Sequence, residues 1–171
     1  SGDQDREDIH ATTVSEPVDQ ALLAKLAETV ESATKAFEEF NYAKALDVTE
    51  SFFWEFTDDY VELVKERAYG ETDGVNTQSA RAALLVTLDT VLRLFAPFLP
   101  FTTEETWSWF NKDSIHTNHW PNLQSLQELS AHGDVAVLAT ATQALRMIRK
   151  AKSEAKLSMK ATVLTAVFTG T

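Results

Sequence analysis

The chain has 171 residues, of which 44% are hydrophobic and none is cysteine. This length fits one ordinary domain with a small appendage, and this hydrophobic fraction excludes a disordered linker. The lack of cysteine excludes disulfides and thiolate metal sites, and it is natural for a cytoplasmic protein. Since no apolar run is long enough to span a bilayer and no secretory leader is visible, we expect a soluble protein without a membrane partner.

The formal charge of −11 is distributed unevenly along the chain. Residues 1–60 hold 15 acids and 4 bases, residues 61–132 hold 9 and 5, and residues 133–171 hold 2 and 6, so the net charge runs from −11 through −4 to +4. Because an acidic surface repels nucleic acid, an RNA partner is expected to approach the later segments. The alternative is that the gradient reflects only solvated helix faces.

Apolar residues at three- and four-residue steps predict three long helices in the first two thirds of the chain. Residues 1–16 are acidic and aperiodic, which predicts a mobile leading segment; the start at Ser1-Gly2 without methionine favours a fragment of a longer protein. The first helix follows from Pro17, with a break or cap at Asn41. The second ends near Gly70 and the third ends near Phe95.

A fourth helix is predicted after a tight turn that Pro97 and Pro100 bracket. Thr102 is its expected N-cap, with Glu105 three residues later completing a capping box. Trp107 is expected on the inward face of this helix. Together with an irregular stretch, these four helices define a predicted bundle over residues 17–122.

Residues 123–171 are predicted to form a truncated helical and strand subdomain. A short helix at 123–131 precedes a long helix that begins at Asp134, and the β-branched residues of 161–168 predict a strand. The predicted fold class is therefore mainly α: a bundle of four main helices with a small α-plus-strand appendage.

No residue pattern in the chain predicts catalysis or metal binding. A di-iron bundle needs Glu-x-x-His pairs on facing helices, and the four histidines instead fall in the tail or in loops. Glu62 and Glu66 lie one turn apart, but neighbouring cations favour a solvated face. There is no glycine-rich phosphate loop and no activated nucleophile. We therefore expect no catalytic residue, no metal and no cofactor in these residues.

The basic residues of the later segments predict an RNA-binding face. Arg149, Lys152 and Lys156 step at three and four residues, which suits a phosphate backbone. Exposed aromatics can also stack on unpaired bases, so Phe40, Tyr69 or Trp120 is a further candidate if exposed, the alternative being core packing. The predicted RNA-binding residues are Arg81, Arg93, Arg146, Arg149, Lys150, Lys152 and Lys156.

Two blocks of sequence carry a family resemblance. The first is Tyr42-Ala43-Lys44-Ala45-Leu46 with 53–67, and the second is 92–107, which contains Pro-Phe-Leu-Pro-Phe-Thr-Thr-Glu-Glu. Together they resemble the anticodon-binding domain of class I aminoacyl-tRNA synthetases of the valine, isoleucine, leucine and methionine group. The resemblance runs from about residue 18 to the end. Part of the first block looks most like the valine enzymes, and the isoleucine and leucine enzymes are the alternatives. This pattern is carried by Trp54, Phe56, Asp58, Tyr60, Glu62 and Lys65.

The resemblance implies a parent ligase that uses ATP to join valine to its tRNA, with its catalytic domain elsewhere in the same chain. These residues would bind the tRNA anticodon stem-loop, but not DNA, and would not catalyse. We expect the large side chains of Trp54, Phe56, Tyr60 and Trp107 to hold the helices together by packing between them. Asp58 and Glu62 are expected to pair with Arg93 or Lys65 across the bundle. The competing interpretation is a helical protein-interaction module whose acidic face binds a basic partner.

Overall fold

The computed structural model describes residues 14–70 and 74–167, and it confirms the mainly α class. None of the helices in these two ranges is both long and apolar enough to cross a bilayer. The helices are α1 Pro17–Glu38, α2 Tyr42–Glu55, a π-helix Phe56–Tyr60, α3 Val61–Ala68, α4 Val75–Phe95, α5 Pro100–Ser108, a 3-10 helix Ile115–Thr117, α6 Leu123–Leu129 and α7 Val135–Glu154.

Helix α1 is the centre of the fold, because it packs against α2, α4, α6 and α7. Its buried face follows the three- and four-residue steps seen in the sequence, including Leu22, Leu26, Val30 and Ala33. The run α2–π-helix–α3 is continuous, and its buried side chains include Phe52, Phe56, Tyr60 and Val64 at four-residue steps. Periodic burial on both helices therefore builds the core that the sequence predicted.

Helices α6 and α7 form a second layer on α1. Between them, Gly133 approaches α1 so closely that an added Cβ would lie 2.3 Å from the carbonyl oxygen of Gln20. Asp134 caps α7 by accepting a hydrogen bond from the Ala136 N–H at 2.9 Å. The appendage predicted after residue 122 is thus packed on the bundle through α6 and α7.

The start of α5 differs from the predicted capping box. The helix begins at Pro100, three residues earlier than expected, so Leu99 is the N-cap position and Thr102 lies inside the helix. Proline suits the first helical position because its fixed φ is helical and because an N–H at that position would have no acceptor within the helix. The carboxylate of Glu105 accepts a hydrogen bond from Trp109 Nε1 at 3.2 Å.

The neighbouring carboxylate, Glu104, anchors the chain after α5. It accepts hydrogen bonds from the Ser114 hydroxyl at 2.9 Å and from the Ile115 N–H at 3.0 Å. Ile115 packs with Leu92 and Trp107 in a small second core. This carboxylate therefore fixes the 3-10 turn that follows α5, a contact that the sequence did not predict.

The predicted strand is not formed within the described residues. Residues 161–167 have no regular structure and residue 168 lies outside the described range. A strand has little stability without a neighbour with which to pair its backbone groups. At the other end, residues 1–13 of the predicted mobile segment also lie outside the description, whereas Val14 is buried and the Ser15 and Glu16 N–H groups each donate to the Ser79 hydroxyl at 3.0 Å.

Candidate nucleic-acid interface

Helix α7 is attached to the bundle by two arginines that contact the π-helix and α3. The Arg146 guanidinium donates to both carboxylate oxygens of Asp59, at 2.5 and 3.3 Å. Asp59 is buried although the arginine side chain is mostly exposed. These hydrogen bonds and the negative charge of Asp59 raise the pKa of Arg146 above its usual value. Arg146 thus neutralises a buried carboxylate, which would be costly unpaired.

Arg149 extends this attachment by one turn. Its Nη1 donates to the Asp58 carbonyl at 3.0 Å, and its Nη2 lies 2.7 Å from Glu62. Lys65 also donates to Glu62 at 2.7 Å, so these two residues do pair, but within α3 and not across the bundle as expected. The hydrogen bond from Lys65, with the charges of both cations, holds the pKa of Glu62 below its usual value against a smaller effect of burial. Two cations therefore share one carboxylate where α7 meets α3.

The lysines of this region lie further along α7 and beyond it. Lys150 is exposed, 3.9 Å from Glu154, and Lys152 donates to the Met159 carbonyl at 2.9 Å. Lys156 follows the end of the helix with φ of 54°. The expected single face holds for Arg149 and Lys152, but Lys156 lies off the helix because α7 ends at Glu154.

Arg81 lies at the end of the bundle where α3 meets α4. It donates from Nε to the Ala68 carbonyl at 2.9 Å and from Nη2 to the Gly70 carbonyl at 3.1 Å, so it closes the C-terminus of α3. Tyr69, the residue between Ala68 and Gly70, is 86% exposed. Because Arg81 holds the residues on both sides of Tyr69, the exposed ring stands on a fixed segment on which an unpaired base can stack.

Arg93 belongs to the interior of the bundle. It is only 7% exposed, lies 2.8 Å from Asp89 and has its guanidinium carbon 5.6 Å from the ring centre of Trp107. The expectation that Asp58 or Glu62 pairs with Arg93 is therefore wrong. Its burial also separates Arg93 from the other basic residues predicted to bind RNA.

The aromatic candidates divide into exposed and packed side chains. Phe40 and Tyr69 are exposed, whereas Trp120 packs edge-on against Phe37 and donates from Nε1 to the Thr34 hydroxyl at 2.8 Å. Trp54 is 59% exposed, so the prediction that it holds the helices together by packing between them is wrong. On a helix it faces away from Phe52 and Phe56, two residues to either side.

The carboxylate of Asp19 holds together several described helices, although no sequence pattern pointed to it. It is fully buried and accepts hydrogen bonds from the Tyr60 hydroxyl, the Ser79 hydroxyl and two nitrogens of Arg67. Burial, then the charge of Asp19, raises the pKa of Tyr60 well above its usual value. The hydrogen bonds to Asp19 raise the pKa of Arg67. A preference of acids for the first turn of a helix is the only signal that the sequence offered.

His116 is one of the histidines that were predicted in loops, and its contacts are with a carbonyl and a carboxylate. His116 Nε2 lies 3.1 Å from the Pro100 carbonyl and 3.9 Å from Glu104. In the part of the chain that the structure describes, no three His, Cys, Asp or Glu side chains are grouped to hold a metal ion. The chemistry that the described side chains offer is recognition by charge and stacking.

The described helices belong to a domain class found in tRNA ligases. Residues 19–167 match the family described as the anticodon-binding domain of tRNA ligase, and the chain belongs to this family. It is similar to the valine--tRNA ligases of Thermobifida fusca, 53% identical over 88% of this chain and 17% of the relative, and of Salinispora tropica, 49% identical over 90% and 20%. That of Cutibacterium acnes is 48% identical over 90% and 18%. The chain thus spans about a fifth of the length of these relatives.

Proposed function

We propose that these residues bind the anticodon stem-loop of a valine tRNA as one domain of a cytoplasmic valine--tRNA ligase. The parent enzyme would use ATP to join valine to tRNA, through a catalytic domain in another part of the same chain. Family membership supports RNA binding, and the similar ligases support the choice of valine. These residues contribute binding, without a catalytic group of their own.

The proposed location of the RNA surface rests on the contact between Arg149 and Glu62. It holds the basic half of α7 beside α3, whose next turns carry Lys65 and the exposed ring of Tyr69. Lysines suit contacts to phosphates, and an exposed ring suits stacking on an unpaired base. The proposed RNA surface therefore comprises Lys65, Tyr69, Arg81, Arg146, Arg149, Lys150, Lys152 and Lys156.

Anisotropy titration of a labelled valine-tRNA anticodon stem-loop with this chain tests the proposal. Binding is expected at low salt and should weaken steeply as salt is raised. The double variant Lys150→Glu and Lys156→Glu is expected to weaken binding about tenfold or more. The matched control, Lys25→Glu and Lys44→Glu, makes the same charge change on the partly exposed Lys25 of α1 and the exposed Lys44 of α2, and it should weaken binding by about twofold or less.

A second variant separates stacking from charge. Tyr69→Ala is expected to weaken binding about fivefold or more, because stacking on an aromatic contributes about 1–3 kcal/mol per base, and to leave the salt dependence unchanged. Stem-loops with other anticodons test the choice of valine. Equal losses in the two double variants, or no binding at low salt, would contradict the proposed surface.

A further inference from the structure

The end of the bundle where α1 turns into α2 and α4 turns into α5 exposes a group of large apolar side chains. Beneath them, the ring of Phe37 lies 5.7 Å from the rings of Tyr42 and Phe98 and 5.1 Å from that of Trp120. Phe40 is 78% exposed and Phe101 is 89% exposed. We call this surface the aromatic end; its exposed apolar members are Phe40, Tyr42, Leu99 and Phe101.

Phe40 holds a backbone conformation that phenylalanine rarely adopts. Its φ is 57°. Its own N–H donates to the Phe37 carbonyl and the N–H of Asn41 donates to the Ala36 carbonyl, which closes α1. Glycine or asparagine usually occupies this left-handed position, because a bulky side chain is strained there. A strained residue that also exposes its ring suggests a use for the ring outside the fold.

The charges around the aromatic end disfavour nucleic acid and favour a basic partner. Residues 35–44 and 98–120 contain five carboxylates and three lysines, and one of those lysines, Lys44, lies 3.4 Å from Asp47. Glu38, Glu39 and Glu105 are exposed. A polyanion is repelled by such a surface, whereas lysine and arginine side chains are attracted.

The aromatic end is also remote from the proposed RNA surface. Tyr42 begins α2 and Ala68 ends α3, and the run between them spans roughly 40 Å at the rise of a helix. A ligand at Tyr69 therefore leaves Phe40 and Phe101 uncovered. Aromatic side chains are enriched in protein interfaces, where a polar rim surrounds them.

We propose that the aromatic end is a docking surface for a basic protein segment in which apolar side chains lie between lysines or arginines. The apolar side chains cover Phe40 and Phe101, and the flanking cations lie against Glu38, Glu39 and Glu105. This docking is separate from RNA binding, so a failure of either proposal leaves the other standing.

Amide chemical shifts of the labelled chain test the docking surface with three probes. These are a peptide of leucine and phenylalanine between lysines, the same peptide with glutamate in place of lysine, and single-stranded oligouridylate. We expect only the lysine peptide to shift residues 38–42 and 98–102, with a Kd of about 1 mM or tighter. Absence of those shifts, or equal shifts with the glutamate peptide or the RNA, overturns the proposal.

Two substitutions of Phe40 distinguish docking from a role in folding. Phe40→Gly and Phe40→Ala both remove the ring, and each is expected to weaken peptide binding about fivefold or more. Only Phe40→Gly is expected to raise the Tm, because glycine relieves the left-handed strain. Leu85→Ala, which removes an exposed apolar side chain from α4, serves as the control and should bind normally. Undiminished binding by Phe40→Gly would overturn the proposal.

Discussion

Arg67 donates hydrogen bonds of 2.6 and 2.9 Å from its two terminal nitrogens to the carboxylate of Asp19, which has no exposed surface. The hydroxyls of Tyr60 and Ser79 complete the set of donors, at 2.8 and 2.7 Å. Asp19 is in the first turn of α1, and its partners lie on the π-helix, α3 and α4. One carboxylate thus fixes the relative positions of four helical segments, and through Ser79 it also holds the chain that leads into α1.

Replacing Asp19 with alanine is expected to lower the free energy of unfolding by about 3–5 kcal/mol, because Arg67 and Tyr60 lose their buried partner. Urea unfolding measures this change. The control is Asp47→Ala, which breaks an exposed pair with Lys44 and should cost about 0.5 kcal/mol or less. Comparable losses in the two variants would show that the buried network is not a main source of stability.

The raised pKa of Tyr60 predicts a loss of stability at high pH. An unfolded tyrosine ionises near pH 10, whereas the folded protein keeps Tyr60 protonated. The unfolded state therefore binds fewer protons above that pH, so the contribution of Tyr60 is complete below about pH 10 and declines as the pH rises further.

Urea unfolding from about pH 8 to about pH 11 checks this slope. Tyr60→Phe removes the ionising hydroxyl, and we expect it to lose about 1 kcal/mol at neutral pH and to show a shallower decline at high pH. All other ionisable groups are the same in the two proteins, so the difference between their profiles isolates Tyr60. Parallel profiles would refute the interpretation.

The sequence predicted the parts of the fold that depend on local pattern. The apolar periods of α1 and α4 place their buried faces because burial repeats with the helical turn. The start of α5 was misplaced because two start signals compete within three residues. A capping box at Thr102 and a proline at residue 100 cannot both define the first turn, and the helix begins at the proline.

The candidate site was harder to predict because charge does not reveal burial. Asp19 and Asp59 can be buried because arginines 48 and 87 residues away in sequence neutralise them. No local sequence pattern predicts such distant partners. Arg93 was grouped with the RNA-binding residues for its charge and its place on the less apolar side of its helix, yet it is buried. The exposure of Trp54, by contrast, follows from its position two residues from Phe52 and from Phe56, and its size had favoured a core position.

Gly133 is expected to tolerate no side chain. A Cβ at this position would lie 2.3 Å from the Gln20 carbonyl oxygen and 3.0 Å from the Ala24 Cβ, so Gly133→Ala must push the turn before α7 away from α1. We expect a loss of about 1–3 kcal/mol in the free energy of unfolding, measured in urea. Gly74→Ala is the matched control, because nothing lies within 4 Å of its added Cβ. Equal behaviour of the two variants would mean that α7 can shift on α1 at little cost.

Arg93 and Lys156 are both basic residues of the predicted RNA-binding set. We expect substitution of Arg93 to lower stability and substitution of Lys156 to weaken RNA binding. Arg93 is buried against Trp107 and lies 2.8 Å from Asp89, whereas Lys156 is exposed. Arg93→Ala is expected to lower the free energy of unfolding by about 2–3 kcal/mol, since its packing and its ion pair are both lost. The RNA affinity of the folded variant should change by about twofold or less.

Lys156→Ala should change the free energy of unfolding by about 0.5 kcal/mol or less, and it should reduce the slope of log affinity against log salt by about 1, as loss of one phosphate contact requires. Urea unfolding and stem-loop anisotropy on the same samples provide both measurements. A weakened RNA affinity in Arg93→Ala with normal stability would mean that the α4–α5 contact opens when RNA binds. The buried arginine would then belong to the RNA surface, and the second core would be a moving part of the domain.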